Sequence, residues 1–240
     1  MIGLGTIVNG AAVVFGGCIG LFLKKGIKDN LREIITQAIG LSVMFIGIAG
    51  TMEMMLNINN GNLSTKGAMM VVVSMVIGSS IGELLKIEHR FKNLAEFLKQ
   101  RFSRKKDSQF SEGFLVASLT ICIGAMAVVG AIKDGISGDP TMLYTKAVLD
   151  FVILIVLGST YGKGTLFSVI PLAVFQGSIT LLSRFIAPIL TGQMIDNISL
   201  IGSILIFCIG INLFFDKKIR VANMLPSLII SIIYGALPLT

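Results

Sequence analysis

Lys146 and Asp150 stand four residues apart in TMLYTKAVLDFVILIVLGSTYG, a run that is otherwise almost wholly apolar. On a helix that spacing puts both side chains on one face, where ammonium and carboxylate can pair. Counted from Thr141, Asp150 lies ~14 Å along the helix axis, near the middle of a bilayer. A charge at that depth costs roughly 2.5–3.5 kcal/mol on insertion scales, and such residues mark ion, proton or substrate pathways. Two chemistries fit. Asp150 could carry a proton or cation, or bind substrate, while Lys146 tunes or neutralises it. Alternatively the two form an internal ion pair that fixes helix packing. Isolated buried pairs seldom offset their desolvation, and a wet cavity lowers that cost, which favours the first.

Other polar groups stand at matching depths. Asn9, in GTIVNGAAVVFGGCIG, supplies an amide. In SVIPLAVFQGSITLL, Pro171, Gln176, Gly177 and Thr180 fall close together. Proline removes a helix hydrogen bond and glycine loosens the next turn, and broken helices form midplane sites in secondary transporters. A kink healed by neighbouring side chains fits these residues equally well. Between two apolar runs, the turn Asp134-Gly-Ile-Ser-Gly-Asp139-Pro140 carries two carboxylates. They could gather cations at the mouth of a pathway, or be solvated in a tight turn; an EF-hand loop would need more ligands. The candidate ion- or substrate-binding set is therefore Asp150, Lys146, Asn9, Gln176, Thr180, Asp134 and Asp139.

Other chemistries find little support. Gly78-Ser-Ser-Ile-Gly82 matches GxSxG, but that motif needs a strand-to-helix elbow and a nearby base. Here it sits in an apolar helical run, and the only histidine, His89, lies nine residues beyond Ser80. No HExxH, Walker A loop or dinucleotide fingerprint occurs. Cys18, Cys122 and Cys208 all lie in apolar runs without a CxxC pair, so neither a disulfide framework nor a metal site is expected. The expectation is a non-enzyme with no cofactor.

The elements that must position these residues are membrane helices. Apolar residues make up 54% of the chain and charged residues 14%, with mean hydropathy +0.88, against about 25% charged in soluble domains. Apolar runs near 2–23, 34–57, 67–87, 113–132, 141–162, 165–190, 198–215 and 223–239 each approach the length of a bilayer-spanning helix. Barrel strands would instead alternate over about ten residues. The expected fold is all-α: about eight transmembrane helices in short-looped hairpins, in a single polytopic domain over 1–240. Lys24, Lys25, Lys28 and Arg32 follow the first run, and Lys86 to Lys106 follow the third with eight basic residues. Lys163 follows the fifth, and Lys217, Lys218 and Arg220 follow the seventh. That asymmetry puts these loops in the cytoplasm and both termini on the outer side of the membrane. The net charge of +7 is thus a topology signal and not a nucleic-acid footprint. The first run also lacks the basic leader and cleavage pattern of a secretory signal.

Residues 88–103 read differently. Phe91, Leu94, Leu98 and Phe102 recur at helical spacing among Arg90, Lys92, Lys99 and Arg101, the pattern of a cytoplasmic helix lying in the lipid interface. If that helix instead binds a partner, the protein is a non-transporting scaffold or signalling component. Near the inner ends of the first, third and fifth runs come Gly16-Gly-Cys-Ile-Gly20, Gly78-Ser-Ser-Ile-Gly82 and Gly158-Ser-Thr-Tyr-Gly162. Such small-xxx-small pairs let helices approach closely. They fit plain packing, parallel internal repeats and a homodimer interface.

The ordered strings ASLTICIGAMAVVGAIKDGISGD, KAVLD and GSTYGKGTLFSVIPLAVFQGSITLL resemble the bacterial inner-membrane family of unknown function typified by YqgA and YdfK. GTIVNGAAVVFGGCIG and IGSSIGELLKIE extend the likeness over nearly the whole chain. The proline that the family pattern often has after CxG is Ala125 here. The resemblance implies a multi-span inner-membrane protein, labelled as a transporter without an established substrate. It singles out Asn9, Asp134, Lys146, Asp150 and Gln176.

Overall fold

The computed structural model describes residues 2–24, 29–59, 62–102, 109–123, 125–215 and 219–236. Lys25, Lys28, Arg104, Lys105, Lys106, Lys217 and Lys218 of the topology pattern lie outside the described residues. The protein is an all-α membrane protein. Among the described residues, five helices are individually long and apolar enough to cross a membrane, or up to seven segments if each bent pair is one span. The last apolar run forms a shorter helical stretch, Val221–Ala236. One short hairpin, β1 (Leu56–Asn59) and β2 (Asn62–Thr65), joins the second and third helices, with Leu56 opposite Thr65.

The chain divides into two compact units, Met1–Gln37 with His89–Ile189, and Ala38–Glu88 with Leu190–Thr240. In the first unit, α1 (Leu4–Lys24) packs along α7 (Thr141–Tyr161). Gly16 lies over the Phe151 carbonyl and Gly20 over that of Ile155, so the helices run parallel with no room for a β-carbon at either glycine. Without a hydrophobic drive between helices in lipid, such backbone approach is what holds them. Gly158 packs back onto Gly17 and Gly20. Gly162, at φ +85°, ends α7 and leads into a 3-10 turn, Lys163–Ser168. The first and third glycine signatures are thus two halves of one interface.

α5 (Phe110–Cys122) and α6 (Ala125–Ser137) follow α4 (Ile87–Phe102). Ile123 is extended, and the axes of α5 and α6 differ by 60°, so the chain bends here although Ala125 replaces the proline of the family pattern. α8 (Val169–Ile186) is continuous through Gln176, Gly177 and Thr180. Pro171 falls in its first turn, where the missing N–H would lack an intrahelical acceptor anyway. The break that the polar run suggested in α8 therefore lies in α5–α6. α6 packs on α8, with Gly135 against the Thr180 carbonyl and the Ser183 hydroxyl.

α4 buries Ala95 and Leu98 against Phe110 and Phe114, flanked by Phe91 and Phe167. Its basic residues Arg90 and Arg101 stay exposed, as does His89. Leu94 and Phe97 also remain exposed, so the buried stripe is Phe91, Ala95 and Leu98. The unit's own core thus takes up part of the amphipathic face and leaves Leu94, Phe97 and Phe102 exposed.

In the second unit, Gly40, Gly47 and Gly50 of α2 (Asp29–Met55) meet Phe214, Phe207 and Ser203 of α9 (Gly192–Phe215) in descending order, an antiparallel pair. Gly78 and Gly82 of α3 (Ala68–Leu84) press on Ser227 and Asn223, at α11 (Pro226–Ala236) and α10 (Val221–Met224). The Glu83 carboxylate accepts from Asn223 Nδ2 at 2.7 Å and pairs with Arg220. Asn212 brackets Ile219, donating to its carbonyl and accepting from its N–H at 2.8 Å each. Ser80 is exposed and donates to the Val76 carbonyl of its own helix, so the GxSxG match is helical packing.

Candidate functional site

Six of the seven expected polar residues are buried in the first unit: Asn9, Asp134, Lys146, Asp150, Gln176 and Thr180 are each at most 7% exposed. Their positions follow from helix periodicity. On α8, Leu172, Gln176, Thr180 and Ser183 recur at spacings of three and four residues and form its buried face. On α1, Gly5, Asn9 and Val13 do the same, and on α7 Leu143, Lys146, Ala147 and Asp150.

Lys146 Nζ donates to Asp150 Oδ2 at 2.5 Å, closing the i,i+4 pair. Asn9 stands in the neighbourhood of the Asp150 carboxylate. Asn9 Nδ2 donates to Gln176 Oε1 at 3.0 Å, joining α1 to α8. One turn earlier on α1, the Thr6 and Thr180 hydroxyls are 3.3 Å apart, and the Gly5 N–H donates to Asp134 Oδ2 at 3.1 Å. A polar ladder thus runs from Asp134 through Thr6–Thr180 and Asn9–Gln176 to Asp150–Lys146. Cys122, at the α5 end of the bend, lies within Coulombic reach of both members of the ion pair.

The ladder is incompletely satisfied. Asn9 Oδ1, Gln176 Nε2, Asp134 Oδ1, Ser118 Oγ and Ser183 Oγ are buried without a hydrogen-bond partner. Leaving a buried polar atom unpaired costs roughly 1–3 kcal/mol, so a run of them along one route calls for water, an ion or a solute.

Asp134 does not lie in a loop. α6 continues to Ser137, which puts Asp134 in the last helical turn with its side chain fully buried. Asp139 stands apart. It is exposed, and its Oδ1 accepts from the Thr141 N–H at 3.1 Å and the Thr141 hydroxyl at 2.6 Å, capping α7. Those two bonds hold its carboxyl below the usual carboxylate range. Arg184 is exposed on α8.

Gly5, Thr6, Cys122 and Ser183 join the cluster without having stood out in the sequence. Two of them carried a signal: Thr6 precedes Asn9 by three residues, and Ser183 continues the Gln176–Thr180 stripe. In the second unit, a cavity of about 420 Å³ is lined by Met54, Met69, Met70, Asn197 and Tyr234, among others. Lys66 and Asp196, 4.0 Å apart, line the same cavity. None of the expected residues borders it.

A family model described as a protein of unknown function (DUF554) matches residues 4–236. The chain is 33% identical over 226 residues to the uncharacterized membrane protein YdfK of Bacillus subtilis (strain 168), covering 94% of this chain and 93% of YdfK. It is 27% identical over 232 residues to the uncharacterized protein YqgA of Escherichia coli (strain K12), covering 95% and 94%. No solved structure matches.

Proposed function

We propose that this chain, which belongs to the family of proteins of unknown function described as DUF554, is a small secondary transporter or channel of the bacterial plasma membrane. In this reading Asp150 is the ion-coupling or substrate-binding group and Lys146 holds it in place. Asn9, Gln176 and Thr180 line the route, and Asp134 stands at its other end. The observation that carries it is the ladder itself: polar side chains from α1, α6, α7 and α8 are buried together, and three of them, Asn9, Gln176 and Asp134, keep an unpartnered atom. An ion pair serving packing alone would need only Lys146 and Asp150. The competing scaffold reading is built on α4, whose Ala95 and Leu98 pack on Phe110 and Phe114 while Leu94, Phe97 and Phe102 stay exposed.

The test is electrophysiology on a solid-supported membrane. Protein reconstituted in liposomes is exposed to jumps of protons, sodium, potassium and a panel of small metabolites. A transporter or channel gives currents for at least one of these; Asp150→Asn abolishes them, and so does the charge-free pair Lys146→Met with Asp150→Leu, in which no charge is stranded. Equal currents with and without the Asp150 carboxylate would remove it from the mechanism.

A further inference from the structure

The ladder ends at α6 in a group of oxygens with one negative charge among them. Asp134 is fully buried; its Oδ2 accepts from the Gly5 N–H, while its Oδ1 has no partner. Gly135, the next residue, packs directly on the Ser183 hydroxyl and the Thr180 carbonyl. The Ser183 hydroxyl is likewise buried and unpartnered. The Thr6 hydroxyl, one residue along α1 from Gly5, meets that of Thr180 at 3.3 Å. On neighbouring stretches of α1, α6 and α8, then, lie a carboxylate oxygen, three hydroxyls and a backbone carbonyl, and two of these oxygens have no partner.

A cation seated among them would satisfy the two unpartnered oxygens together, since each can act as an acceptor. The donor set narrows its identity. Hard oxygens without histidine, cysteine or methionine disfavour the soft transition metals. A single carboxylate is little charge for calcium, which takes six to eight oxygens and commonly several carboxylates. α6 is the second half of a bent helix, and Asp134 sits in its last turn, where the helix end carries partial negative charge. C-terminal ends of half-helices coordinate sodium in secondary transporters.

We infer that Asp134 Oδ1, Ser183 Oγ and the Thr6 and Thr180 hydroxyls bind one dehydrated monovalent cation, with sodium the ion of fitting chemistry. The coupling role of this site rests on the transport reading above; the binding itself does not.

Scintillation proximity with ²²Na⁺ on the purified full-length protein in detergent tests it. Saturable binding approaching one sodium per chain is expected, displaced by unlabelled NaCl but not by equal choline chloride. Asp134→Asn should lose it and Ser183→Ala should weaken it about tenfold, the loss of one ligand hydroxyl. Ser80→Ala, on an exposed face of the second unit, should leave it intact. If Asp134→Asn fails to fold, Ser183→Ala combined with Thr180→Val gives the decisive loss. No saturable sodium binding in the wild type, or wild-type binding in the Ser183 and Thr180 variants, overturns the site. Binding lost in Asp150→Asn but kept in Asp134→Asn also overturns it, by moving the ion to the Lys146 pair. Currents absent while sodium still binds would sink the transport reading alone.

Discussion

Asp150→Leu strands a positive charge. Lys146 is 7% exposed, and among the described residues its only ion pair is with Asp150. Removing one member of a buried pair costs about 3–5 kcal/mol, because the other stays desolvated and uncompensated. That is roughly two to three and a half orders of magnitude in the unfolding equilibrium. Lys146→Met is the milder change, since Asn9 still stands in the neighbourhood of the Asp150 carboxylate; the lower end of that range is expected. The double variant Lys146→Met with Asp150→Leu removes both charges at similar volume. It should lie within about 1 kcal/mol of the wild type, or above it, as in other buried pairs replaced by apolar groups. The cycle should therefore show coupling of at least ~2 kcal/mol between the two sites. The chain contains no tryptophan, so the assay is far-UV circular dichroism during reversible unfolding in mixed SDS and maltoside micelles. Single variants within about 0.5 kcal/mol of the wild type, with additive effects, would refute the argument. They would mean that both charges reach solvent from the middle of α7.

Three further predictions follow from the packing and the Asp139 cap. Gly20→Val should split α1 from α7, because the new β-carbon would land on the Ile155 carbonyl, and size-exclusion should show aggregated protein. Gly177→Ala meets nothing within 4 Å and removes a flexible residue from a helix interior, so it should stabilise by about 0.5–1 kcal/mol in the same micelles. Asp139→Ala should fray the first turn of α7, read as faster amide exchange at Thr141–Tyr144. Since hydrogen bonds from Thr141 lower the carboxyl's pKa, the cap contributes above the ordinary carboxylate pKa. It is lost as pH falls through the lowered one, so exchange in the wild type should rise toward that of Asp139→Ala only in acid.

The helices and much of the site were legible because apolar runs must be helical in a bilayer. Charges and amides inside such runs have only the protein interior to face, which is why Asn9, Gln176, Lys146 and Asp150 meet. What stayed hidden was the use made of each glycine and proline. Gly135 reads as a turn residue beside Asp134, yet it is helical and small so that α8 can approach. The missing β-carbon serves either purpose, and local sequence does not tell them apart. Pro171 reads as a helix breaker and instead starts one, whereas the true bend at Ile123 has no proline to announce it. The pairing of α1 with α7 is likewise invisible locally, since every glycine signature has the same spacing.

That pairing has a consequence for how the protein is made. The partner of Gly20 on α7 ends at Tyr161, so on a ribosome adding about 5–20 residues per second the first helix waits roughly 7–28 s for the seventh. Throughout that interval its glycine-lined face has no mate, and Asn9 waits longer still for Gln176 on α8. The α2–α9 half of the molecule is still only partly synthesised when α1 finally docks.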